Sequence, residues 1–168
     1  MPIAIRPATS ADLPLIASLI RGLADYEKLA DEVHFDEAVL GEKLFGLRPY
    51  AEVLIGDLDG VAQGFALFFH NFSTFEGKPG IYLEDLFVRP EARGSGLGKA
   101  LLAKLAALAV ARDCARLEWS VLDWNAPAIG FYQTLGARLM DGWTGMRVDG
   151  AALVQLGAHL GAEAGKPD

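Results

Sequence analysis

The chain has a single cysteine, Cys114, in 168 residues. That excludes an internal disulfide and fits a reducing compartment. Histidines are also scarce: His34, His70 and His159 are scattered and read as surface or loop residues, and no His/Cys cluster suggests a metal. Positive charge is in short supply. Fifteen Lys and Arg face 22 Asp and Glu, a net charge of -7, so general nucleic-acid binding, which works by releasing counterions from phosphates, is not expected. Long apolar runs are missing too. The most apolar stretch, Ala100 to Ala111, is short and holds Lys104, so no membrane partner is expected. Met1-Pro2-Ile3-Ala4-Ile5-Arg6 lacks the basic-then-apolar layout of a signal peptide. With 52% hydrophobic and 22% charged residues, the chain has the composition of one folded cytoplasmic domain over residues 1–168, frayed from Gly161.

The charge that is present is uneven. Up to Ala92 there are 15 acidic and seven basic residues, and from Arg93 onward seven acidic and eight basic. The densest acidic stretch holds Asp25, Glu27, Asp31, Glu32, Asp36, Glu37 and Glu42. Most of these read as a solvated helix face and loop. A field that attracts a cation is the sharper alternative.

Alternation marks a strand at Ile3 to Arg6, and helical spacing follows in Leu13, Ile16, Leu19, Ile20 and Leu23 behind a Thr9 or Ser10 cap. A second helix spans Asp36 to Phe45. Strands at Val53 to Ile55 and Val61 to Phe69 flank an Asp59-Gly60 turn. A turn-rich loop covers Asn71 to Gly80, a strand Ile81 to Val88 and a helix Gly96 to Arg112. Then come a strand at Leu117 to Leu122, a helix at Pro127 to Leu135, a strand near Met146 to Val148 and a short apolar helix. This order predicts an α/β or α+β layered domain with a mixed sheet.

The most informative stretch runs from Leu83 to Lys99, where a strand leads through Arg93-Gly94-Ser95-Gly96-Leu97-Gly98-Lys99 into a long helix. Glycines let a ligand approach the backbone, and the first N–H groups of a helix lack internal partners, so such a turn suits an anion. Alone, it could equally be a tight strand-to-helix connection. It is not a Walker A loop and lacks the full G-x-G-x-x-G pattern. It does match R/Q-x-x-G-x-G/A, and some thirty residues on, Asn125-Ala126-Pro127-Ala128-Ile129-Gly130-Phe131-Tyr132-Gln133-Thr134-Leu135-Gly136 matches N-x-x-A-x-x-F-Y-x-x-x-G. With both motifs in this order the chain resembles the GNAT acetyltransferases. Ile5-Arg6-Pro7-Ala8-Thr9, Leu23-Ala24-Asp25-Tyr26-Glu27, Tyr82-Leu83-Glu84-Asp85 and Asp123-Trp124-Asn125 look like its spermidine/spermine and thialysine branch. The chain departs from that branch between Gly136 and Trp143, where it is shorter, and after Val148.

The resemblance implies a mostly antiparallel sheet of six to seven strands with a splayed parallel pair at the cofactor site. It implies acetyl-CoA as cosubstrate, no metal, a small cationic amine (polyamine, diamine or thialysine-like amino acid) as substrate, and a homodimer. It assigns the cofactor to Leu86, Phe87, Val88, Arg93, Gly94, Ser95, Gly96, Leu97, Gly98, Lys99, Asn125, Ala128 and Phe131. Backbone N–H groups near Phe87 and Val88 would stabilise the oxyanion. Tyr26 and Glu27 would hold the amine, with Asp141 and Trp143 lining the same pocket.

A protonated amine cannot attack, so its proton must leave, and the departing thiolate benefits from a donor. Glu84, in an otherwise apolar strand, is the expected base, its pKa raised by partial burial. Strict alternation puts Glu84 and Asp85 on opposite faces. Tyr132 is the expected acid. A non-catalytic acyl-CoA-binding module and an enzyme acting on a protein amine or an aminoglycoside are the alternatives, and an amino-acid substrate would need a cation for its carboxylate, with Arg21, Arg147 and Lys78 as candidates.

Overall fold

Short apolar runs, buried at consecutive positions in the two central stretches at residues 53–56 and 64–68, make five strands, and the computed structural model, which describes residues 1–163, orders them β1-β2-β3-β4-β5. They are β1 (Ile3–Pro7), β2 (Glu52–Leu58), β3 (Val61–Ser73), β4 (Lys78–Val88) and β5 (Leu117–Trp119). The first four pair antiparallel, while β4 and β5 run parallel. The chain divides into two compact units, Met1–Asn125 and Ala126–Asp168. The sheet and helices α1 (Leu13–Tyr26), α2 (Glu37–Phe45) and α3 (Leu97–Ala111) belong to the first.

Two apolar layers hold this unit together. Ile16 and Leu19 of α1 and Leu44 of α2 pack with Val53, Ile55, Phe65, Leu67 and Phe87 of the sheet. On α3, Leu97, Leu101, Leu102, Leu105 and Ala109 are buried, a helical repeat that buries one stripe. The entry to α1 is fixed by polar groups. Asp12 accepts from the Thr9 N–H at 2.8 Å and pairs with Arg6 at 2.9 Å, and the Arg6 hydrogen bond holds its carboxyl below the usual range. Gly22 of α1 sits against Phe87, where a Cβ would lie 2.8 Å from Cε1.

The sheet differs from expectation in four places. Among the described residues it has five strands, not six to seven. The loop expected from Asn71 to Gly80 is mostly strand, because backbone pairing continues from His70↔Ile81 to Ser73↔Lys78 and leaves only residues 74–77 as the turn. Ser73 closes that turn, its Oγ accepting from the Glu76 N–H at 3.2 Å and its carbonyl from the Gly77 N–H at 2.9 Å. The strand expected from Leu117 to Leu122 ends at Trp119, where β4 ceases to pair with it. No strand forms at Met146 to Val148, since its unit holds, among the described residues, only helices.

Those helices are α4 (Ala126–Thr134) and α5 (Gly150–Glu163). Pro127 occupies the first turn of α4, where a missing N–H does no harm. Gly136, at φ +92°, ends the helix as Ala137 N–H returns to the Tyr132 carbonyl at 3.1 Å. α5 is described through Glu163, and the remainder of the tail expected to fray from Gly161 lies outside the described residues.

Candidate active site

The glycine-rich turn has the geometry of an anion cradle. A 3₁₀ turn at Pro90–Ala92 leads to Gly94 at φ +77° and Gly96 at φ +90°. That left-handed backbone is open to glycine without penalty. Gly96 is the N-cap of the 15-residue α3, so the cap has no side chain to satisfy the helix N–H groups. Ser95 Oγ accepts from Leu97 N–H at a long 3.3 Å. A Cβ at Gly94 would meet nothing within 4 Å, and one at Gly96 only Ile3 Cδ1 at 3.8 Å. The turn is therefore open from outside, with the positive end of the helix dipole behind it. Lys99 is exposed in the first turn of α3, and Gly98 is half-buried. This donor set fits a diphosphate.

Upstream of the turn the sheet opens. The β4–β5 ladder runs from Ile81↔Leu117 to Leu83↔Trp119 and stops, while β4 continues to Val88. An irregularity at Glu84 coincides with the break. Phe68 pairs with Leu83 and Leu67 with Asp85, so Glu84 is an extra residue in β4, a bulge. A bulge bends its strand, and here the bend coincides with the loss of β5. Arg89 N–H donates to the Gln63 carbonyl of β3 at 2.8 Å. Successive residues face opposite edges, so Val88 and Leu86 present their N–H groups on the open edge and Phe87 turns its own toward β3. Arg93 Nε donates to the Val88 carbonyl at 3.1 Å on that open edge.

The bulge also changes the disposition of the carboxylates. Paired residues share a face, so Asp85 lies with Leu67 on the α1 side and Leu83 with Phe68 on the other. Glu84, absorbed between them, escapes the strict alternation expected of it and Asp85. Glu84 is exposed. The burial expected of Glu84 is found at Asp85 instead, whose carboxyl is pushed up to about 6 by removal from water, with Glu84 and Glu27 adding repulsion. Burial also raises Glu27, at the C-terminal end of α1. Three carboxylates thus gather where the sheet opens.

Beside them is an aromatic group. The Tyr26 hydroxyl lies 3.4 Å from Oδ1 of buried Asn125, and its ring is tilted against that of Trp124, the centroids 6.3 Å apart. Arg93 stacks 4.7 Å over Tyr26 and 5.7 Å from Phe87, and Lys28 lies 5.1 Å over Trp124. These faces bind cations already. Trp124 and Asp85 were not singled out from sequence. The first stands in the quoted Asp123-Trp124-Asn125 stretch, and the second needed the bulge to be seen.

The remaining candidates lie in the second unit. Ala128, Phe131 and Tyr132 are on α4, the two rings 5.7 Å apart, with Tyr132 half-buried. Asp141 and Trp143 are exposed between α4 and α5. Among the described residues no group of three or more His, Cys, Asp or Glu side chains is placed to hold a metal, and no helix is long and apolar enough to cross a membrane.

Comparison with known proteins agrees with this geometry. The acetyltransferase (GNAT) family model matches residues 20–137. A thialysine N-epsilon-acetyltransferase from Sus scrofa is 38% identical over 163 residues, covering 90% of this chain and 95% of the relative. An L-ornithine N5-acetyltransferase from Arabidopsis thaliana is 32% identical, covering 89% and 85%. Among solved structures, an integron cassette protein from the mobile metagenome of V. cholerae superposes with a TM-score of 0.78 at 27% identity, covering 94% of this chain and 98% of that one. The chain belongs to the GNAT family of acetyltransferases, enzymes that use acetyl-CoA as cosubstrate.

Proposed function

We propose that the protein transfers an acetyl group from acetyl-CoA to a primary amine of a small cationic substrate, a polyamine, a diamine or a thialysine-like amino acid. The observation that carries this reading is the gathering of Glu27, Glu84 and Asp85 at the point where β4 parts from β5, one short turn before the anion cradle. An acidic pocket attracts an ammonium group, and the similar thialysine and ornithine acetyltransferases are named for amine substrates of that kind.

Bound at the turn, acetyl-CoA supplies a thioester carbonyl open to attack. Gly94 to Lys99 would hold its diphosphate through backbone N–H groups and the Lys99 charge, aided by Arg93 once it leaves the Tyr26 ring. Leu86 and Val88 offer N–H groups on the free edge of β4, fixed in place to meet negative charge that develops during attack. Asn125, Ala128 and Phe131 would line the cofactor arm.

Glu27, Asp85 and the Tyr26 face hold the ammonium, and the branch likeness adds Asp141 and Trp143 as residues that would line the same pocket. Glu84, exposed at the bulge, takes the proton from the amine, directly or through a water. Tyr132 returns a proton to the sulfur, since a phenol is protonated at neutral pH. The branch likeness extends the reading to a cytoplasmic homodimer with no nucleic-acid or membrane partner.

Steady-state acetyl transfer to a panel of amines tests it. General acid–base groups contribute about 10²–10⁴-fold, so Glu84→Gln is expected to lower kcat at least a hundredfold with the KM for acetyl-CoA little changed. Tyr132→Phe is expected to have a smaller effect on kcat. Tight acetyl-CoA binding without transfer to any amine would sink the reading.

A further inference from the structure

A cavity of about 520 Å³ lies in the first unit along the α1-covered face of β4, lined among others by Arg21, Gly22, Asp25, Phe87, Arg89 and Glu91. Asp85 and Phe87 share one face of β4, and Arg89, just past the strand's end with its N–H still held by the Gln63 carbonyl, follows at the same interval. Phe87, packed against Gly22, forms the floor between them. The groove is therefore polar in a definite order. Asp85, with Glu27 and Glu84 close enough to act on its charge, precedes Phe87 on this face, just outside the cavity's own lining. The cavity itself is lined by two arginines, Arg21 and Arg89, together with Asp25 and Glu91.

A polyamine carries only ammonium groups, and a site shaped for one would continue as carboxylates. Two guanidinium groups further along would repel it. The mixed end suits a group with both charges. Arg21 is partly engaged, paired with Glu37 at 3.1 Å and stacked 5.0 Å over Phe35. The Arg89 guanidinium makes no hydrogen bond or ion pair with another side chain among the described residues, although it lines the cavity.

The spacing suits a short chain. Asp85 and Arg89 are four residues apart, about 13 Å between Cα atoms along a strand. Four bonds of about 1.5 Å, from the terminal amine of ornithine to its α-carbon, extend roughly 5 Å. The carboxyl of Asp85 and the long arm of Arg89 span the rest.

Resting on the acetyltransferase reading above, we propose that the acceptor is an α-amino acid with a second, terminal amine, its α-carboxylate held by Arg89 and its α-ammonium by Asp25. The terminal amine then reaches the three carboxylates, where acetylation takes place.

The test compares ornithine with 1,4-diaminobutane, which differ only in the carboxylate. Wild-type enzyme is expected to favour ornithine at least tenfold in kcat/KM. In Arg89→Gln that ratio falls toward one, chiefly through a higher KM for ornithine, and in Arg89→Lys part of it returns. Calorimetry with the intact protein should show ornithine binding at least tenfold more weakly to Arg89→Gln. A wild-type preference for 1,4-diaminobutane would overturn the proposal while leaving the acetyltransferase reading intact. So would an equal loss on both amines, or a raised KM for acetyl-CoA with the ratio unmoved, which would assign Arg89 to the cofactor. Absence of transfer to either amine, or to any other, would overturn the parent reading as well.

Discussion

Asp85→Asn is expected to make the protein more stable at neutral pH and a poorer enzyme. The folded state holds the Asp85 carboxyl at about 6, against an ordinary 3.8. Folding thus favours its protonated form. Below pH 3.8 the group is protonated in both states and contributes no penalty. As pH rises toward 6 the unfolded chain ionises first, and stability is lost. The loss is complete above pH 6 and, at 1.36 kcal/mol per pKa unit, amounts to about 3 kcal/mol at most. Urea melts of wild type and Asp85→Asn should therefore coincide near pH 3.5 and separate progressively up to pH 7, the variant being the more stable. In the same variant kcat/KM should drop roughly tenfold or more, and the acidic limb of its pH profile near 6 should vanish, because a neutral amide neither attracts an ammonium nor titrates. A variant that is less stable at pH 7, or that keeps the limb, would refute the placement of this carboxylate.

The second large effect is expected at Gly96. Asn and Asp tolerate left-handed backbone better than other side-chain-bearing residues, and the space beside Gly96 is open to a Cβ. Gly96→Asn and Gly96→Asp should both fold, the latter helped by a carboxylate at a helix N-terminus. They differ by one negative charge within the cradle. At about 5 Å and an effective dielectric near 20, one unit charge repels another by about 3 kcal/mol, roughly a hundredfold in affinity. CoA should bind Gly96→Asn moderately less well than wild type and Gly96→Asp about a hundredfold less well again. Salt should narrow the gap between them. Equal affinities in the two variants would mean that the diphosphate does not lie at this turn.

The elements with strong periodicity were legible in the sequence. α1 and α3 follow their leucine and isoleucine spacing to within a residue or two, and the turn from β4 into α3 could be read from its glycines. What could not be read depends on pairing across the sheet. Asn71 to Gly80 is full of turn formers, yet most of it is strand because the partner backbone is there to pair with. The segment at Met146 to Val148 has strand character and finds no such partner in its unit. The same limit governs the site. Glu84 and Asp85 were visible as neighbours in an apolar strand, but which one is buried depends on a register shift against Leu67 and Phe68. Likewise Arg89 is one arginine among several until α1 is laid beside it.

The bulge has a consequence for how the chain tolerates change in length. Phe68↔Leu83 and Leu67↔Asp85 are already successive rungs, and Glu84 is the one residue between them without a rung of its own. Removing it would not displace the residues on either side onto the wrong faces, as a deletion elsewhere in a strand does. It would join the two halves of the ladder into one. A chain lacking Glu84 should therefore fold with β4 straightened and drawn toward β5, closing the gap between the two strands. The sheet can lose this residue without losing its register: the irregularity at Glu84 is a single insertion carried by an otherwise regular strand.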